Sequence, residues 1–213
     1  MKRNDTQLLR GKLLENARQM FIKRGIQTLR MDDLAKKLGI SKKTIYVLIK
    51  DKASLVKEVI EDYVDQERKI NENIRRNASN PVEEMVMLMS HVLQQTKELN
   101  PQVLFDLQKF YPESWDIFHH YRSSFMFDFI HTNVKTGVEH NFYRSDLKTD
   151  IVAKFYIGAI KVISDQSLFP SKHYPFVSVV KEYLEYHLRA IVTEKGLKEL
   201  LTLKNKSFHE IHK

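Results

Sequence analysis

Residues 31–49 read MDDLAKKLGISKKTIYVLI, and the fold turns on them. Met31, Leu34, Ala35 and Leu38 recur at helical spacing, which predicts a short helix with one apolar face. Gly39 follows at once, where a helix end favours a residue that tolerates the left-handed conformation. Ile40 fills the turn, and Ser41 is a good N-cap for a second helix. Ile45, Leu48 and Ile49 supply the buried face of that second helix. The small Ala35 and the flexible Gly39 let two helices cross closely through a short turn, as a helix-turn-helix requires. Lys42, Lys43, Thr44 and Tyr46 are left facing outward, with Val47 a further candidate for that face. Such a helix fits a major groove, which is wide enough to admit it. The alternative is an ordinary helical hairpin with a basic surface.

The charge pattern separates the two. Residues 1–57 carry 15 Lys and Arg against 5 Asp and Glu, a balance of +10, and the remainder carries −2. The whole basic excess surrounds the proposed motif, which points to a polyanionic partner for that segment. The 213 residues suffice for one large or two small domains, and an apolar fraction of 42% can build a real core. Few glycines and prolines and few alternating apolar runs predict an all-α chain. There is no cysteine, which excludes disulfides and thiolate metal sites. No signal-peptide core and no run long enough to cross a bilayer is seen, so a cytoplasmic protein without a membrane partner is expected.

Working outward, a first helix is expected over 6–24, with Leu9, Leu13, Ala17, Met20 and Phe21 inward and Gly25 as its stop. A long fourth helix starts near Lys52, capped by Asp51, and extends to about Arg76. It divides the chain into an expected N-terminal domain, 1–52, and a helical remainder, 53–213. Beyond a break at 77–81 come a methionine-rich helix over 81–99 and two short helices between Pro101 and Pro112. A long helix over 115–138 follows, then helices over 147–168 and 175–194. Gly196 is expected to close the last of these, with a further short helix near 197–203. The stretch 150–169 is apolar nearly all round and must bury more than one face. Gly158 and Ala159 permit close backbone approach there.

The residues Phe21, Gly25 and Thr28, then MDDLAKKLGISKKTIY, then Lys50, Asp51, Lys52 and Leu55, make the chain similar to the TetR family of bacterial transcriptional regulators. The resemblance is strongest over 13–60 and is architectural beyond it. It implies an N-terminal three-helix helix-turn-helix domain, joined by a long helix to a C-terminal helical domain for ligand binding and dimerisation. It implies phosphate contacts from Arg30 and from Lys52, the latter aided by a helix N-terminus. The candidate DNA-binding set is then Arg30, Ser41, Lys42, Lys43, Thr44, Tyr46 and Lys52. Tyr46 can reach a phosphate through its phenol; its other reading is a half-buried aromatic staple. Where the family often has aromatic residues, this chain has Leu48 and Ile49.

The resemblance also implies an effector pocket. Its candidates are Met85, Met89, Phe105, Phe110, Tyr111, Trp115, Phe118, Tyr121, Phe125 and Phe129, since pockets are mostly apolar and methionine adapts its shape. The same residues also suit an ordinary core. The expected homodimer interface comprises Phe155, Gly158, Ala159, Val162, Tyr183, Leu184, His187, Leu188 and Ile191; the other reading is burial within one subunit. Asp116, His119 and His120 do not make a metal site, because adjacent histidines on a helix diverge and no third ligand is visible. Glu113 and Asp116 suit a solvated face. No catalytic nucleophile–base pair is visible, and no cofactor or metal is expected. The reading is a non-enzymatic, sequence-specific DNA-binding regulator: a homodimeric repressor released from double-stranded operator DNA by a small apolar or amphipathic effector. The alternatives are a constitutive DNA-binding dimer and a small-molecule-binding protein on the same scaffold.

Overall fold

The computed structural model describes residues 3–210. They form α1 (Arg3–Arg24), α2 (Met31–Leu38), α3 (Lys42–Leu48), α4 (Lys52–Asn77), α5 (Pro81–Thr96), α6 (Gln102–Phe110) and α7 (Pro112–Tyr121). A π-helical turn, Arg122–Met126, leads into α8 (Phe127–Glu139), followed by α9 (Thr149–Ile163), α10 (Phe176–Ile191) and α11 (Glu194–Glu210). Among the described residues the only extended pairing is an isolated bridge between Tyr143 and Val192. No helix there is long and apolar enough to cross a membrane.

The helix ends follow local chemistry. Gly25 (φ +83°) and Gly39 (φ +66°) hold the left-handed conformation that stops α1 and α2. Asn80 caps α5 by accepting from the amides of Val82 and Glu83, both at 3.0 Å, and Pro81 occupies the first turn, where its missing N–H costs nothing. Three expectations are corrected. One helix, α6, occupies the stretch between Pro101 and Pro112, not two. The expected 115–138 helix starts at Pro112 and is interrupted by the π turn. Gly196 ends nothing: it lies in the first turn of α11, where a side chain would collide with the Phe142 carbonyl.

The chain gathers into two compact units, Met1–Glu67 with Glu98–Tyr121, and Arg68–Lys97 with Arg122–Lys213. The first unit holds α1–α3, residues 52–67 of α4, α6 and α7. It therefore takes in a segment that the expected division at residue 52 gave to the C-terminal domain. Its core is Leu13, Ala17, Phe21, Ile26, Leu34, Ile45, Ile49, Leu55, Val56 and Leu107. In the second unit α5 packs against α8, α10 and α11. A buried polar network pins the 140–144 loop there. The Tyr143 hydroxyl shares its one proton between the Pro81 carbonyl (2.9 Å) and Asn133 Oδ1 (3.0 Å). Asn133 Nδ2 in turn donates to Glu84 (3.1 Å), which also holds Arg75 (2.9 Å). Burial pushes the Tyr143 phenol far above its usual range, so it stays a donor.

Candidate nucleic-acid interface

The surface is built from the α2–α3 corner. Met31, Leu34 and Ala35 of α2 and Ile45 and Leu48 of α3 are buried against each other and α1. The turn is closed by backbone: Gly39 and Ile40 donate to the carbonyls of Lys36 (3.2 Å) and Ala35 (3.1 Å). Ser41 starts α3 by accepting from the Thr44 amide at 3.0 Å, and its hydroxyl pairs with that of Thr44 at 2.8 Å. Ser41 thus serves as the cap, satisfying an otherwise orphaned N–H at the head of a helix of seven residues.

With the core side fixed, the outward face follows. Lys42, Lys43, Tyr46 and Val47 are exposed and Thr44 half-buried. At 3.6 residues per turn, Lys43 and Val47 each lie about 160° around the helix from the fully buried Ile45. They stand one turn apart at the centre of the face, with Tyr46 to one side. Val47, a further candidate for the outward face, is 77% exposed; Tyr46 is 45% exposed. Lys42 pairs with Asp32 of α2 at 3.0 Å, and that hydrogen bond raises its already high pKa. Lys43 makes no ion pair among the described residues, so its charge is uncompensated at the face's centre. Arg30 is exposed at the head of α2.

Lys52 is placed differently from the rest. Its ammonium donates to the carbonyls of Gln27 (3.1 Å) and Leu29 (2.8 Å), bracing the turn between α1 and α2. Partial burial lowers its pKa, and the charge of Asp106 opposes that fall. An ammonium has three donors, so one remains for a phosphate. The same turn carries a residue that sequence reading missed. Asp106 of α6, only 2% exposed, accepts from the amides of Ile26 and Gln27, both at 2.9 Å. Gln102 donates to its other oxygen at 3.0 Å. The turn is therefore clasped from both sides, its N–H groups by a carboxylate and its carbonyls by an ammonium. A second link joins α1 to the same segment, from the Asn100 amide to the Ile22 carbonyl at 2.8 Å.

The other candidates are dispersed. Of the pocket set, Phe105, Phe110, Tyr111, Trp115, Phe118 and Tyr121 belong to the first unit and Met85, Met89, Phe125 and Phe129 to the second. Trp115 packs on Phe118 (6.0 Å between ring centroids), which meets Tyr63 (6.4 Å). Phe105 and Phe110 are half exposed, with the Lys109 ammonium near both rings. Met85 and Phe129 are core residues, the latter under the Arg75 guanidinium at 4.0 Å. Of the interface set, Leu184, His187, Leu188 and Ile191 are buried within the protomer by packing of α10. Phe155, Gly158 and Val162 are exposed on α9, and Ala159 and Tyr183 half-buried.

The description "Bacterial regulatory proteins, tetR family" matches residues 13–59, the stretch from the core of α1 through the first turns of α4. An uncharacterized HTH-type transcriptional regulator, YvaF of Bacillus subtilis (strain 168), is 30% identical over 147 residues, spanning 67% of this chain and 74% of the relative. The chain belongs to the TetR family of bacterial regulatory proteins. Another relative, the HTH-type transcriptional repressor KstR2 of Mycolicibacterium smegmatis (strain ATCC 700084 / mc(2)155), is 26% identical over 198 residues, 88% of this chain and 92% of the relative. A TetR-family regulator from Agrobacterium tumefaciens has the same fold, with a TM-score of 0.73 at 15% identity over 88% of this chain and 100% of that one. This TetR-family chain is a DNA-binding transcriptional regulator, and α3 is the second helix of its helix-turn-helix.

Proposed function

We propose that the protein is a homodimeric repressor that binds a near-palindromic operator through two copies of α3 and leaves it when a small apolar or amphipathic effector binds. The observation that carries the DNA half is the α2–α3 corner, whose Met31, Leu34, Ala35, Ile45 and Leu48 are turned inward while Lys43, Tyr46 and Val47 stand outward in the basic part of the chain. TetR-family regulators bind operator DNA and effector ligands and act as dimers, and the KstR2 relative is a repressor.

Two exposed apolar stripes support the dimer. On α9, Ile151, Phe155, Gly158 and Val162 recur at i, i+4, i+7 and i+11, all exposed. On α10, Val179, Tyr183, Tyr186 and Ala190 repeat that spacing, half-buried or exposed. A monomer gains nothing from two such stripes in water; a second copy covers both. The proposed interface therefore keeps Phe155, Gly158, Ala159, Val162 and Tyr183 and adds Ile151 and Tyr186. Dimerisation sets the distance between recognition helices, which must be about 34–36 Å for successive major grooves.

The effector site is proposed against the aromatic group of Tyr63, Trp115 and Phe118. Release requires the effector to prefer the conformation that does not bind DNA, since equal affinity for both shifts nothing. Operator DNA must then weaken effector binding by the same factor. The test is a selection of genomic fragments by the purified protein, followed by titration of the enriched duplex. Enrichment of one near-palindromic site, lost in the Lys43→Ala, Tyr46→Ala double variant, is expected. Equal binding of all fragments would refute sequence-specific recognition. The single tryptophan, Trp115, gives a fluorescence readout for effector screening. Compounds that change its emission are expected to lower operator affinity.

A further inference from the structure

We infer that Val47 is a specificity-determining residue that reads a thymine through its C5-methyl group in the major groove. The inference deepens the reading of α3 as the recognition helix and rests on it. Three observations meet at this side chain. Val47 is 77% exposed, more than any other large apolar residue described. It lies opposite the buried Ile45, at the centre of the face rather than at its edge. Its neighbour one turn earlier is Lys43, an uncompensated cation in the segment that holds the whole basic excess of the chain. Nothing within the protomer explains an isopropyl group held in water at that place. It belongs to neither the core nor the stripes on α9 and α10. The charge around it selects a polyanion as the occupant.

The chemistry of the groove then narrows the choice. A valine side chain neither donates nor accepts a hydrogen bond. Guanine, adenine and cytosine present donors or acceptors at the floor of the major groove, whereas thymine alone adds a methyl group. Against the other three bases, Val47 would strip water from a polar edge and return no hydrogen bond, which costs free energy. Against thymine it buries methyl on methyl. The two effects act in the same direction, so one position in each half-site is expected to favour thymine.

The experiment uses the full-length protein and a duplex recovered by selection from a randomised pool. Each thymine of that duplex is replaced in turn by deoxyuridine, which pairs identically and lacks only the methyl. Affinities are measured by fluorescence anisotropy for the wild type and for Val47→Ala and Val47→Ser, both at an exposed position that leaves the core untouched. In the wild type, one replacement per half-site should weaken binding about fourfold, the factor that one buried methyl group represents. Both variants should bind the dT and dU duplexes equally at that position while keeping any sensitivity at other thymines. A wild-type scan with no sensitive position, or the same sensitive position in the variants, overturns the role of Val47 and leaves DNA recognition standing. A pool from which no sequence is enriched would instead remove the recognition-helix reading, and this inference with it.

Discussion

Asp106 and Lys52 act on the backbone of three residues, Ile26, Gln27 and Leu29, and the consequences of removing them differ. In Asp106→Ala the buried Ile26 amide loses its acceptor, a defect that costs about 1–3 kcal/mol. Urea denaturation should register that loss, and hydrogen exchange should quicken at Ile26 and Gln27 first. Lys52→Ala should weaken binding to specific and random duplexes alike and flatten the salt dependence of affinity, if its remaining donor holds a phosphate. His187 provides a third test at this scale. Burial lowers its pKa from 6.5 to about 4, its ring lies edge-on to Tyr156 at 5.1 Å, and its Nε2 has no hydrogen-bond partner. The folded protein keeps the ring neutral, while the unfolded chain takes up a proton near pH 6.5. Its contribution is therefore fully present above that value and is lost as pH falls toward 4, by on the order of 3 kcal/mol. His187→Phe, which cannot titrate, should make stability less dependent on pH in that window than the wild type. The outward lysines were legible in the sequence because the apolar residues that fix the opposite face of α3 lie in the same short motif. Asp106 was not, because its partners lie 80 and 79 residues away and an isolated aspartate on an amphipathic helix resembles a solvated one. The burial of His187 within the protomer was not legible for a related reason: periodicity assigns a face to a helix but does not say what covers that face.

At the scale of elements, α3 is the one most dependent on its end. A helix of seven residues is not stable alone in water, so packing through Ile45 and the cap at Ser41 must hold it. Ser41→Ala should lower stability by about 1 kcal/mol, measured by thermal or urea unfolding. Operator affinity should fall as well, because α3 then frays at the residues that precede Lys43. Helix boundaries elsewhere were readable where glycine or proline marks them, as at Gly25, Gly39 and Pro81, whereas the start of α7 at Pro112 was not. The π turn at Arg122–Met126 was not. It adds a residue to a helical circuit without any breaker in RSSFM, and the Arg122 guanidinium fastens it to the Ile157 carbonyl of α9 at 2.8 Å. That contact is tertiary, so no local pattern announces it.

For the whole molecule, the exposed stripes on α9 and α10 make the strongest prediction. Phe155→Glu places a charge where a second copy would bury an aromatic ring. Sedimentation should find the wild type dimeric at micromolar concentration and this variant monomeric, with operator affinity reduced because one half-site contact replaces two. A wild-type monomer would reject the assembly. The all-helical architecture and the location of the helix-turn-helix corner were readable from the sequence, because both rest on local periodicity and on turn chemistry. The division into units was not, since α6 returns to the N-terminal helices across a long stretch of chain. That return has a consequence during synthesis. The ribosome delivers Ile26 and Gln27 some 80 residues before the carboxylate that accepts from their amides. A nascent chain ending within α5 carries every residue of the helix-turn-helix yet lacks Asp106 and the Asn100 link, so its α1–α2 turn is held from one side only. A shortened product of an interrupted message should therefore hold its α1–α2 turn less firmly than the full chain and bind the proposed operator more weakly.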